Sequence, residues 1–268
     1  MSSAVERHPS RTHSPVAEYF HSLWLLARRD LLVRYSTSIL GYLWSIIDPL
    51  VMSAIYFFVF VVVFDRGELG PQPYIVMLLS GLLPWVWFNG TISDCTRAYW
   101  KEGRLVRSVN IPRTIWVNQL VLAKGIEYLA SLPVLLLFAL IAGASFNWQL
   151  VYIVPAIVLQ ALLTMGVGLV VAPLVVFYRD LERVVKLVLR LLFYASPILY
   201  TVDMLPAELQ PFAGLNPLSG LLSLYRAGFF PELLDWATVG VSSAVILLSV
   251  VVGLFVHGRT QRAVLKEI

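Results

Sequence analysis

Long apolar stretches alternating with short charged ones dominate this chain. A run of about 20 apolar residues is what a helix needs to cross a bilayer, where no water is present to satisfy a free backbone amide. Runs of this kind extend from Ile39 to Phe64, from Tyr74 to about Arg97, and from about Ile115 to Ala142. Three more extend from Leu150 to Phe177, from Val184 to Tyr200 and from Trp236 to Val256. The pattern predicts an all-α integral membrane protein with six transmembrane helices.

Three segments depart from it. Residues 17–37 are too polar to span, yet Phe20, Leu23, Trp24, Ala27, Leu31 and Tyr35 share one helical face, opposite Glu18, Ser22 and Arg29. That spacing predicts an amphipathic helix in the interface plane, a passive anchor or a surface beside a substrate path. Residues 98–114 form a basic connection in which Gly103 and Pro112 bracket one or two helical turns, facing lipid or docking into a partner. Residues 203–232 lie in a long outer connection broken by Pro206, Pro211, Pro217 and Pro231. Loops this long usually carry structure or a role, so short re-entrant helices are predicted there, with an external cap as the other reading. Residues 1–16 are polar and read as a flexible N-terminus lacking the apolar core of a secretory signal. The rest, 38–268, reads as one transmembrane domain.

Charge orients the spans. Of the 20 Lys and Arg, 17 fall in the N-terminal segment, the 2–3 and 4–5 connections with their flanks, and the C-terminus. By the positive-inside rule these lie in the cytoplasm, with both termini. The formal net charge of +4 is then a topology signal, and no nucleic-acid partner is expected. Charged residues make up 13% of the chain, roughly half the share of a soluble domain. Arg far outnumbers Lys, as in a GC-rich bacterial source, so a bacterial plasma membrane is expected. Cys95 is alone and the four His do not cluster with acids, so neither a disulfide nor a metal site is expected. No catalytic residue is singled out: the close cytoplasmic acids Asp180 and Glu182 are flanked by Arg179 and Arg183.

Four motifs in order carry a resemblance. Arg34-Tyr35 with Ser38-Ile39-Leu40-Gly41-Tyr42-Leu43-Trp44 and Pro49-Leu50 resembles the start of the first span in polysaccharide-export ABC permeases of the O-antigen, capsule, teichoic-acid and cell-wall galactan type. RLVRSVNIP from Arg104 to Pro112 is similar to their segment between spans 2 and 3. Arg179-Asp180 with Ser196-Pro197-Ile198-Leu199-Tyr200 resembles their fifth span. Leu215-Asn216-Pro217 with Arg226 resembles the connection beyond it. Asp48 departs from the pattern, which often has Asn there, and an acid inside a span calls for a partner.

The resemblance implies a homodimer paired with two ATPase subunits that hold ATP and Mg, with no cofactor in this chain. The sequence lacks a G-x-x-x-x-G-K-[ST] phosphate loop, in keeping with ATP hydrolysis on a separate chain. It further implies coupling to the ATPase through Glu102, Arg104, Leu105, Val106 and Arg107, and an outer gate with Pro197, Tyr200, Asn216, Pro217 and Arg226. The implied cargo is a polyprenyl-pyrophosphate-linked glycan. Arg28, Arg29 and Arg34 would meet the pyrophosphate at the entrance, although the positive-inside bias accounts for them equally. Tyr42, Trp44, Trp85, Trp87 and Phe88 would line a glycan channel or sit as ordinary membrane aromatics. Lys124 and Glu127, at i and i+3, read as a mutually neutralising pair or as a polar spot on the path. A permease for drugs or lipids, and an integral membrane enzyme of glycan or lipid synthesis, remain as other readings.

Overall fold

The computed structural model describes residues 15–36, 39–63, 70–103 and 112–267, and every regular element among them is helical. Helix α1 covers Pro15–Tyr35. Helix α2 covers Trp44–Phe57 and continues as a π-helical turn over Phe58–Val63. Then come α3 (Tyr74–Cys95), the single turn α4 (Ala98–Lys101) and α5 (Ile115–Ile141). Helix α6 (Ile153–Phe177) follows a 3₁₀ turn at Trp148–Tyr152, and α7 covers Leu181–Ala195. Two short helices, α8 (Gln210–Leu215) and α9 (Pro217–Arg226), precede the long α10 (Trp236–Glu267).

Among the described residues, four helical segments are long and apolar enough to cross a membrane: Tyr74–Cys95, Ile115–Ile141, Trp148–Phe177 and Trp236–Val264. The helices in the other two predicted runs are shorter, for different reasons. Helix α2 has 14 residues, about 21 Å of rise, before its hydrogen bonding slips to the wider π pattern. Helix α7 has 15 residues and ends at Ser196, whose extended backbone is what a following proline favours. It also carries Glu182, Lys186 and Arg190, which give it a polar side.

Helix α3 is the hub, buried along most of its length and packed by α2, α5, α6 and α9. Helices α6 and α10 make the most extensive pairing, and small residues permit it. A Cβ on Gly166 would lie 2.8 Å from the Ser249 carbonyl oxygen, and Gly253 sits directly against Gly166. Such small-residue seams let membrane helices approach backbone to backbone. The outer side of α10 presents Leu247, Leu248, Val251 and Phe255, which suits lipid.

Helix α1 differs from its expected orientation. Ala27 and Leu31 are buried against α5 as the pattern predicts, but Phe20 and Trp24 point outward with Leu25, Leu32 and Val33. The buried side carries Asp30, because that carboxylate has cationic partners there. Both sides of α1 therefore hold apolar residues, one packed on protein and one exposed.

Candidate functional site

A cavity of about 270 Å³ opens between α1, α2, α3 and α5, lined by Arg34, Trp44, Asp48, Trp87, Lys124, Glu127, Tyr128 and Ser131, among others. Helix α5 brings Lys124 and Glu127 to the same side one turn apart, and Lys124 Nζ donates to Glu127 Oε2 at 2.7 Å. Lys124 lies nine positions beyond Ile115, about 14 Å into the helix at 1.5 Å per residue.

Arg34 joins this pair to a wider ion network. Its Nη2 donates to Asp30 at 2.8 Å and to Asp94 at 2.9 Å, and its Nε lies 3.7 Å from Glu127 Oε1. Lys101 Nζ reaches Asp30 at 2.9 Å, and Arg29 pairs with Glu102. Burial disfavours charge on both Asp30 and Arg34. For Asp30, the hydrogen bonds from Arg34 and Lys101 outweigh it and hold the carboxyl below its ordinary value. For Arg34, the bond to Asp30 and the charge of Asp94 outweigh it and raise the guanidinium. Both stay charged. Arg29 and Arg34 are thus engaged by carboxylates, while Arg28 is exposed.

The aromatic part is built on α3. The Trp87 ring stacks on Tyr128 with centroids 5.3 Å apart and an interplanar angle of 19°, and its Nε1 donates to the Val121 carbonyl. Gly125 permits this, since a Cβ there would lie 3.0 Å from the Trp87 ring. Trp44 is 44% exposed at the rim. Trp85 and Phe88 turn elsewhere: Trp85 packs on Phe193 of α7, and Phe88 lines a separate apolar groove against α6 and α7. The structure therefore brings Trp44 and Trp87 to the polar cavity and leaves Trp85 and Phe88 outside it.

The predicted outer residues also meet. Asn216 caps α9 by accepting from the Leu218 amide, and its Nδ2 donates to Ser196 Oγ at 2.8 Å. Pro217 is the first residue of α9, where its missing amide costs nothing. Arg226 is buried and donates to the carbonyls of Pro197 (2.7 Å), Ile198 (2.8 Å), Met77 (3.3 Å) and Tyr200 (3.4 Å). Tyr200 donates to the Tyr194 carbonyl.

A family model described as ABC-2 type transporter matches residues 21–230 of the chain. The chain belongs to that family. Within it, the chain is 32% identical over 241 residues to an O-antigen export system permease protein RfbA of Klebsiella pneumoniae, an alignment covering 90% of this chain and 92% of that one. It is 28% identical to the RfbA permease of Myxococcus xanthus, over 80% and 82% of the two chains. It is 23% identical to the polysialic acid transport protein KpsM of Escherichia coli, over 85% and 87%.

Of the expected coupling residues, Glu102 is buried and paired with Arg29, whereas Arg104, Leu105, Val106 and Arg107 lie outside the described residues, as does the side chain of Tyr42. Sequence reasoning missed Asp30, Asp94, Tyr128 and Ser131. Asp30 had a local signal, its i,i+4 relation to Arg34. Asp94 had none, being 60 positions from Arg34. His257, beyond the predicted end of the last span, is buried in α10 with Nδ1 3.4 Å from the Tyr99 hydroxyl. Among the described residues no His, Cys, Asp and Glu group could hold a metal.

Proposed function

We propose that this chain is the transmembrane subunit of an ATP-driven exporter that moves a polyprenyl-pyrophosphate-linked polysaccharide from the cytoplasm to the outer face of the bacterial plasma membrane. The observation that carries this reading is similarity over most of the chain to permeases named for O-antigen and polysialic acid export. The cavity agrees with it, since aromatic faces beside hydrogen-bonding groups suit a sugar, whose C–H groups meet a ring while its hydroxyls meet polar atoms.

In this reading the chain crosses six times, with α2 plus its π turn and α7 completing the set. Residues Trp44–Val63 of that continued helix would reach about 30 Å, the thickness of the hydrocarbon core. Two copies pair, each with an ATPase subunit that supplies ATP and Mg, and both termini face the cytoplasm. Residues 98–114 seat in the ATPase. Helices α8 and α9, held by Arg226, form the outer gate. Arg28, exposed on α1, is the cation best free to meet pyrophosphate at the entrance.

The test is co-expression with the ATPase encoded beside it, purification through a tag on this chain alone, and ATP hydrolysis in lipid nanodiscs. Equal co-purification, with hydrolysis uncoupled by charge reversal at Arg104 and Arg107, is expected. Failure of any ATPase to co-purify with folded chain would overturn the permease reading and point to a membrane enzyme.

A further inference from the structure

Two features of the cavity are unused by the transport reading. Glu127 Oε1 is buried without a hydrogen-bond partner, its nearest cation being Arg34 Nε at 3.7 Å, although the other oxygen of that carboxylate is bound by Lys124. Asp48 faces the same cavity from α2 and has no ion-pair or hydrogen-bond partner among the described residues. An unpaired buried acceptor is costly, so Glu127 Oε1 calls for a donor from a ligand, and the exposed Asp48 carboxylate at the mouth is free to accept a second.

The balance of charge restricts what that ligand is. In and behind the cavity stand the carboxylates Asp30, Asp48, Asp94 and Glu127, against the cations Arg34, Lys101 and Lys124. Each of these cations is already paired with one of these carboxylates, and Arg34 with more than one. A further anion would find no unengaged cation among these and would face the like charges of Asp48 and Glu127, which repel it. The volume of about 270 Å³ is at the small end for ligand sites and suits one or two sugar rings. Trp44 at the rim and the stacked Trp87–Tyr128 pair supply ring faces.

We propose that this cavity is a saccharide subsite that takes a sugar unit bearing no acidic group, with Asp48 and Glu127 accepting from its hydroxyls and Asp48 setting the selection against uronate and phosphate. The proposal rests on the polysaccharide-export reading and deepens it: pyrophosphate is placed away from Arg34, and the glycan stretch at this level is uncharged or cationic.

The test compares maltotetraose with tetragalacturonate by saturation-transfer-difference NMR on the chain assembled with its ATPase in nanodiscs. Severalfold stronger transfer to maltotetraose is expected, reduced by Trp44→Ala, flattened by Asp48→Asn and reversed toward tetragalacturonate by Asp48→Lys. These positions are exposed, and ATPase co-purification reports that each variant is assembled. Equal or stronger transfer to tetragalacturonate in the unaltered complex, no transfer to either sugar, or a preference unmoved by Asp48→Lys would overturn the subsite. If the ATPase co-purifies in those cases, the permease reading stands and the subsite alone falls. If no ATPase associates, the permease reading fails and the subsite fails with it.

Discussion

Lys124 and Glu127 hold opposite charges in a largely buried position, and each has a reason to be intolerant of losing the other. Removing one member of a buried pair leaves an uncompensated charge and costs about 3–5 kcal/mol, whereas removing both costs much less. Glu127 also lies 3.7 Å from Arg34, whereas Lys124 has no other ion-pair partner among the described residues, so Glu127→Ala alone is expected to lower thermal stability in nanodiscs more than the double substitution with Lys124→Ala. If the double variant is as unstable as the sum of the singles, the pair is not the unit of interaction. Export activity gives a separate readout: a double variant that folds, assembles and still fails to export assigns the pair a role beyond neutralisation. Both residues were legible in the sequence because charges inside an apolar run are conspicuous. Their neighbours Tyr128 and Ser131 were not, since an aromatic and a hydroxyl are unremarkable in such a run until packing shows what they face.

At the level of elements, the ion pairs tie α1 to the turn that leads into residues 104–111. Lys101 binds Asp30 and Arg29 binds Glu102, so two bonds join α1 to the end of α4. Exchanging the charges of the second pair, with Arg29→Glu and Glu102→Arg together, is expected to recover ATPase coupling that either substitution alone reduces, because neither residue has another ion-pair partner among the described residues. No recovery would mean that the Arg29–Glu102 attraction is not what couples α1 to this turn. A second link joins the end of α3 to the start of α7, where Arg97 Nε donates to Glu182 at 3.0 Å and Lys186 binds the same carboxylate. Hydrogen bonds from Arg97 and then Lys186 hold the Glu182 carboxyl at about 2, below its ordinary 4.5. A depressed carboxyl stabilises the fold above its ordinary value, and the contribution is lost as pH falls from there through about 2. The group is near the surface, so the effect is small. The melting-temperature difference between the unaltered chain and Glu182→Gln should shrink steadily between pH 4.5 and pH 2; a constant difference would assign Glu182 a purely steric role. The long helices α3, α5, α6 and α10 follow directly from uninterrupted apolar runs. The shortness of α2 and α7 does not, because it depends on a slipped hydrogen-bond pattern in one and on Pro197 in the other. The face of α1 was misread for a related reason: its polar residues find partners inside.

Across the whole molecule, the described helices are stitched by one wide seam and one polar core. Helices α6 and α10 close over Gly166 and Gly253, so Gly253→Val forces the backbones apart. Overpacking of this kind costs about 1–3 kcal/mol or more, and a clear fall in melting temperature is expected, with loss of folded yield at worst. An unchanged melting temperature would mean that the seam relaxes freely. Much of α2, α7 and α10 presents large apolar side chains outward, the surface left for lipid and for any second copy.

At the α9 end, one side chain gathers several separate segments. One planar guanidinium at Arg226 fastens strands of chain from α3, from the residues after α7 and from α9 itself. A lysine would keep the charge but offers only three tetrahedral donors, so it cannot grip four carbonyls laid out around a fork. This end of the helix set should thus behave like a door hung on one main pin: intact, Arg226 locks several segments together, and withdrawn, it leaves them to the lesser hold of the Asn216–Ser196 bond.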